Sequence, residues 1–556
     1  MAIEPPRHNG HVHGDMTQPI PMPTTRTAKC ATAFVGRTLR GPVNTAVVVQ
    51  SFAEFQQVFG GVWQPSPLSY AVEQFFEQGG RDAVIVRVAN GATPVGIRLP
   101  CGREHLCLEA RAPGTREFLR ASVDYDHVLS NDEERFNLVI QRVRIPGSEW
   151  IEAQEIFRGL SVDPASPRFA SVALLESNLV RVSGPVPSVR PNLTLRAGTN
   201  LPTGYIDSRP SGHDGAAVSD YDVIGSATQR TGLFALDGLD DIAYLYVPPL
   251  SRTREIGVST LLIAAKFCHD RRIILIVDPP KAWRSATEAV NGFRELQFHS
   301  EEAVMFYPRI QAMDRHRGRI ETFGNGGAVA GMLASAEEDL PVWSSPLSTT
   351  ELWLRGSARP ELSLTETDRL RLEAQGINVL NGTRPVRPNV PLRTLTGGAH
   401  GAADWGWLAT RRLAFFIVNN VERGTRWVLG SARDRAVWLE LAHQVQQFFD
   451  QLCDAGAFPG RDRADAYSVM CDERINKEVD LAASRLHILI QFAAVHSAEH
   501  HAFLITHSPS GSRVRRVRMN LHSIAALRGV PAWLVPEEDG IPVLKLANAV
   551  NVGVAG

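Results

Sequence analysis

The sequence is poor in cysteine, with six in 556 residues (Cys30, Cys101, Cys107, Cys268, Cys453, Cys471) and neither a C-x-x-C pair nor metal-type spacing. Neither a zinc site nor a disulfide framework is indicated, and a reducing compartment fits. It has no run of about 18 apolar residues for a membrane span. The opening MAIEPPRHNGHVHGDM lacks the basic segment and apolar stretch of a secretory leader. A cytoplasmic protein is expected, leaving the cell only inside a larger assembly. Charge of one sign is also missing: 58 Lys and Arg against 59 Asp and Glu leave a net charge of -1. No whole-protein field draws the chain to nucleic acid or an anionic membrane, so neither is an expected partner.

Apolar material is ample, at 44% of residues with 21% charged, enough to fill several cores at roughly one domain per 100 to 200 residues. Residues 1–30 are rich in Pro, Thr and His without periodicity and read as an extended arm. Ala33-Phe34-Val35 and Ala46-Val47-Val48-Val49 read as strands. Ser51 and Glu54 have capping-box spacing and open a short helix. Ser66 and Pro67 open another, whose Leu68, Ala71, Val72, Phe75 and Phe76 share a face up to Gly79-Gly80. The run Ala83 to Val88 is a buried strand. Residues 97–195 carry short alternating segments such as Phe136 to Ile140 and predict a β-rich insertion.

From about 240 the pattern alternates: strand Ile242 to Val247, helix Glu255 to Cys268, strand Ile273 to Val277, helix Trp283 to Gln297, strand Ala303 to Tyr307. That order predicts a parallel sheet covered by helices. Further on, Leu413 to Val418 reads as a strand. A long helix follows, opened by Ser431 and Asp434, with Val437, Trp438, Leu441, Val445, Phe448, Phe449 and Leu452 as its apolar stripe and Gly456 beyond its end. Strands are expected at Ala466 to Cys471, Leu486 to Val495 and Ala502 to Thr506.

Four constellations could carry chemistry, and each has a plainer reading. Gly324-Asn325-Gly326-Gly327-Ala328-Val329-Ala330-Gly331 is a Gly-rich loop before a helix, but Val329 stands where a dinucleotide fingerprint needs its third Gly. No Lys-Ser/Thr completes a P-loop either. A helix start in which small residues permit close backbone packing is preferred. His11 with His13, and His496 with His500 and His501, lack the Cys or carboxylate set of a metal site and read as surface residues. Asp278-Pro279-Pro280 ends a predicted parallel strand, where α/β enzymes place catalytic groups; Asp there more often caps a helix or bonds local backbone. Arg513, Arg515, Arg516 and Arg518 form a basic run without interleaved aromatics, which fits a solvated strand or a neighbour's acidic groove better than nucleic acid. No catalytic residue, cofactor or metal is assigned.

Several stretches in order resemble the sheath family of contractile phage tails, R-type bacteriocins and extracellular injection systems. They are Thr32 to Asn44, Ser51-Phe52-Ala53-Glu54-Phe55 with Phe59-Gly60-Gly61, Tyr70 to Val88, Gly327 to Gly331 with Val342-Trp343 and Ser345-Pro346, Gly376 to Leu380, Arg393-Thr394-Leu395, and Arg411-Arg412-Leu413 with Gly424 to Val428. The similarity covers roughly 31–96 and 230–507 well and 97–230 loosely. The family's aromatic P-G-V-Y-V-E-type opening strand is absent.

The resemblance implies a multidomain mixed α/β (α+β) fold, with an inner α/β domain built from amino- and carboxyl-terminal parts and inserted outer β-rich and α/β domains. Its parts would be an arm (1–30), the first part of the core (31–96), a β-rich outer insertion (97–230), an α/β domain (231–375), a tube-facing carboxyl-terminal domain (376–507) and an extension (508–556). It implies a structural subunit and not an enzyme, with copies of itself in stacked hexameric rings, an inner tube protein, and baseplate and cap proteins as partners. Arg433, Arg435, Glu440 and His443, on the polar face of the helix expected over 432–455, are candidate tube contacts; Arg513, Arg515, Arg516 and Arg518 are candidate inter-subunit arm residues. The rivals are a specialised sheath paralogue at baseplate or cap, and an α/β nucleotide- or substrate-binding enzyme using 240–310.

Overall fold

The computed structural model describes residues 31–517 except 130, 202–203, 340, 344–351, 383–390, 397–404, 431–434, 459–461, 478–479, 481 and 494–499. The expected arm, the extension beyond 517, His11, His13, Ser345, Pro346, Ser431, Arg433, Asp434, His496 and Arg518 lie outside the described residues.

Strand β1 (Ala31–Gly36) is followed by β2 (Ala46–Val49), helices α1 (Phe52–Phe59) and α2 (Pro67–Glu77), and β3 (Ala83–Arg87). Both helix starts follow from the sequence. Ser51 Oγ accepts from the Glu54 N–H at 3.2 Å while Glu54 accepts from the Gln50 N–H at 2.8 Å; Ser66 caps Ser69, with Pro67 in the first turn. These bonds satisfy amide groups that a helix start otherwise leaves orphaned.

The chain then makes an all-β excursion of two sheets. One joins β4 (Gly96–Cys101), β5 (Glu104–Ala110) and β9 (Val180–Val182); the other orders β6 (Leu119–Asp124), β7 (Arg135–Val143), β8 (Ile151–Ser161) and β10 (Ile206–Asp207) as β10-β6-β7-β8. The short helix α3 (Ala170–Ala173) packs with them, and the excursion has its own apolar core. Its entering and leaving segments run antiparallel, with bridges Asn90 to Ala216, Thr93 to His213 and Gly96 to Arg209.

Helix α4 (Asp220–Ile224) leads back to the alternating region: β11 (Ile242–Tyr246), α5 (Val258–Arg271), β12 (Ile274–Val277), α6 (Ala286–Leu296) and β13 (Ala303–Tyr307). A hairpin of β14 (Ile310–Asp314) and β15 (Arg319–Phe323), α7 (Gly326–Asp339), β16 (Arg359–Pro360), α8 (Glu366–Glu373) and β17 (Asn378–Val379) follow. The large sheet is ordered β17-β13-β12-β11-β1-β3-β2, parallel except for β2. Amino-terminal strands and strands more than 150 residues later thus share one sheet. Its two faces bury separate cores: α5 and α6 on one, α1, α2 and α7 on the other, where Phe34 meets Phe75 edge-on at 5.4 Å. Burial on both faces accounts for the continuous apolar runs of these strands.

The last unit contains α9 (Leu408–Gly424), α10 (Arg435–Asp454), α11 (Arg463–Ala466) and a sheet ordered β18 (Tyr467–Met470), β19 (Leu486–Ala493), β20 (His500–Ser508), β21 (Gly511–Val517) around a third core. Leu413 to Val418, expected as a strand, lies inside helix α9. Leu413, Ile417 and Val421 repeat every fourth residue and are all buried, as are Ala414 and Val418 beside them. A helix buries that whole stripe, whereas a strand would divide it between two faces. His501, expected at the surface, is a core residue of β20 whose ring stacks on Trp405 at 4.2 Å. The fold is mixed α+β and multidomain.

Candidate assembly surfaces

The Gly-rich loop is a packing device. A Cβ at Gly327 would stand 2.3 Å from the Ala71 carbonyl oxygen, and one at Gly331 2.3 Å from that of Phe75, so α7 meets α2 backbone to backbone. The amino terminus of α7 already holds an anion, because Asp278 Oδ1 accepts from the Gly326 N–H at 2.8 Å and its Oδ2 accepts from Tyr246 Oη at 2.5 Å. The strand-end carboxylate therefore caps a helix. Asn325 donates to the carbonyls of Phe306 and Pro308 at 2.6 and 2.7 Å, holding the loop against the end of β13.

Helix α9 fastens the last unit to the large sheet through arginines. Arg411 bonds Glu301 at 3.0 Å and also Glu302; Arg412 bonds Glu337 of α7 and Tyr244 of β11; Glu422 receives Arg272, and Arg423 donates to the Asp240 carbonyl at 2.6 Å. Burial pushes the Glu302 carboxyl up, but Arg411 and His269 outweigh it and hold the group below the ordinary carboxylate range. Such buried pairs add little net stability; removing one partner strands a charge, so they fix orientation. Trp405 is sandwiched by Arg411 (4.3 Å), Arg516 (4.0 Å) and His501. Sequence reading missed this junction, whose partners lie on opposite sides of long stretches of chain.

The residues singled out for assembly fall in three settings. Glu440 is half-buried on α10, and His443 is exposed, bonding Gln447 at 2.9 Å beside the 71%-exposed Leu439; Arg435 begins the helix. Arg513 and Arg515 project from β21 to solvent. Arg516 turns inward to Trp405, with Glu301 at 3.6 Å. Among the described residues β18 and β21 pair on one side only, leaving two open edges on this sheet. Among the described residues, too, no group of three or more His, Cys, Asp or Glu could hold a metal ion, and no helix is long and apolar enough to cross a membrane.

This fold, a helix-covered sheet carrying an all-β excursion and joined to a second unit, is similar to that of solved tail-sheath proteins. The sheath tail protein of Listeria innocua matches with a TM-score of 0.56 at 14% identity, over 86% of this chain and 94% of that one. The sheath of an extracellular contractile injection system, the PVC sheath complex in its contracted state, matches with a TM-score of 0.50 at 13% identity, over 90% and 96%. In sequence the chain is 23% identical over 289 residues, 51% of its length, to 70% of a protein of Pseudomonas aeruginosa (strain UCBPP-PA14) named as a prophage major tail sheath protein. No protein-family model matches the chain. The resemblance read from the motifs is thus present in both sequence and fold.

Proposed function

We propose that this protein is a sheath subunit that polymerises as stacked six-membered rings around an inner tube protein, between baseplate and cap proteins, and that shortening of the array drives the tube through a target envelope. The particle assembles in the cytoplasm and is released from the cell. The observation that carries this reading is the likeness of fold over nearly the whole length of a sheath tail protein. The open edges of β18 and β21 support it. A strand from a neighbour adding to such an edge makes about four to six main-chain hydrogen bonds, each worth about 1 kcal/mol net. Contacts of this heterologous kind close into rings within a layer and propagate from one ring to the next.

On this reading residues 376–507 face the tube, 97–230 face outward, and contraction repacks rigid units between two stable arrangements without nucleotide hydrolysis. Arg513 and Arg515 serve the inter-subunit contact, and the α10 face with Arg435, Glu440 and His443 serves the tube. Electron micrographs of the expressed protein with its tube partner should show rings or striated tubes. A monomer under all conditions, or ATP-dependent shortening, would overturn the reading.

A further inference from the structure

The large sheet has a topological switch point between β11 and β1. From β1 the chain crosses to β3 by way of α2 on one face; from β11 it crosses to β12 by way of α5 on the other. The two connections diverge and leave a crevice outside the carboxyl ends of the strands, where open α/β sheets receive ligands. A cavity of about 630 Å³ lies there, floored by Tyr246 and Gly324 and walled by α2, the β11–α5 loop and the β14–β15 hairpin. That is room for a small molecule.

Among the described residues, five cations line this cavity, Arg252, Lys281, Arg309, Arg317 and Arg319, against two carboxylates, Glu255 and Glu321. Glu321 is shared by three of them: Arg317 and Arg319 each bond it at 2.7 Å, and Arg252 bonds it and also Asp314, at 2.9 Å. Glu255 is divided between Arg309 at 3.3 Å and the backbone N–H of Lys281. Behind the wall, Asp314 also accepts from Tyr70 and from the backbone of its own turn, and Asp278 serves α7. Cations therefore outnumber carboxylates even when all four acids are counted. Arg309 is 7% exposed, and among the described residues its Nε has no hydrogen-bond partner, although Nη1 donates to the Pro279 carbonyl at 3.0 Å. A buried guanidinium donor left unsatisfied is costly and is relieved by an acceptor.

We propose that this crevice binds a phosphate-bearing small molecule of pyrophosphate size or larger, held by Lys281, Arg317 and Arg319 at the mouth and Arg309 deeper in. Charge-assisted bonds from guanidinium forks suit phosphate oxygens. The site is independent of whether the chain polymerises, and binding there involves no hydrolysis.

The test uses the full-length chain in isothermal titration and thermal unfolding, with inorganic pyrophosphate and ATP as probes and sodium chloride matched for ionic strength. Lys281 and Arg319 are exposed, so the Lys281→Ala, Arg319→Ala double variant should keep the parent's circular dichroism and unliganded Tm. Saturable binding of about one pyrophosphate or ATP per chain, with a raised Tm, is expected. The double variant should bind about tenfold or more weakly. Absence of saturable binding by either probe, or equal binding by parent and double variant, overturns the proposal; micrographs of rings or tubes would still judge the sheath reading separately.

Discussion

Replacing Gly331 by alanine separates intrinsic helix preference from tertiary packing. On a free helix surface this change stabilises by about 1 kcal/mol. In α7 the new Cβ would lie 2.3 Å from the Phe75 carbonyl oxygen, 3.0 Å from its carbon and 2.9 Å from Gln78 Cβ. Two of these atoms are backbone, so no rotamer change relieves the clash, and α7 must withdraw from α2 by about 1 Å to restore ordinary contact. A gap of that size forfeits roughly a quarter to a half of the dispersion attraction across it. Val329, Ala330 and Leu333, all buried in the same core, move with the helix. Overpacking of this kind costs about 1–3 kcal/mol, and the loosened contacts raise the net loss to roughly 2–4 kcal/mol. For a unit of this size that is a fall in Tm of about 5–15 °C, readable by calorimetry. Gly327→Ala should behave alike, meeting the Ala71 carbonyl at the same 2.3 Å. A neutral or raised Tm for Gly331→Ala would refute the packing reading of the Gly-rich segment.

Glu337→Gln should leave Arg412 without its buried carboxylate and cost about 3–5 kcal/mol, seen as earlier proteolysis around α9. His507 is buried between Thr425 and Ser512, and burial lowers its pKa to about 4 from an ordinary 6.5. Because the folded state resists protonation, stability is fully present above pH 6.5 and falls as the pH drops from 6.5 to 4, by up to about 3 kcal/mol. His507→Gln should flatten that part of a pH series of urea melts. Arg435→Glu should loosen the complex with the tube in co-sedimentation while circular dichroism stays unchanged; undiminished co-sedimentation removes α10 from the tube contact.

Local chemistry was legible wherever the signal was local. Ser51 with Glu54 and Ser66 with Pro67 announced α1 and α2, because caps act within one turn. The strands Ile242 to Tyr246 and Ala303 to Tyr307 were readable from apolar runs set between helical stretches. The run at Leu413 misled because its β-branched and aromatic residues suit a strand and its helical repeat is completed only by Val421, beyond the run. Asp278 was read as capping a helix or bonding local backbone, and the helix it caps begins 48 residues later, where nothing in the sequence pairs the two. The same limit hid Arg411 with Glu302 and the five cations of the crevice, which four separate segments bring together. Arg516 looked like one member of a basic run, yet alternation along β21 turns it away from Arg515 and onto Trp405.

The paired segments at Asn90 to Ala216 and Gly96 to Arg209 form a neck between the large sheet and the all-β excursion. The chain leaves the body after β3 at Asn90 and returns at Ala216, which are antiparallel bridge partners, so the two ends of the neck lie only about 5 Å apart. The excursion has its own core beyond that neck and is held to the body by polar fastenings such as Arg40 to Glu152 at 2.7 Å. It could be trimmed, enlarged or exchanged for another body while the register of the sheet beneath stays the same.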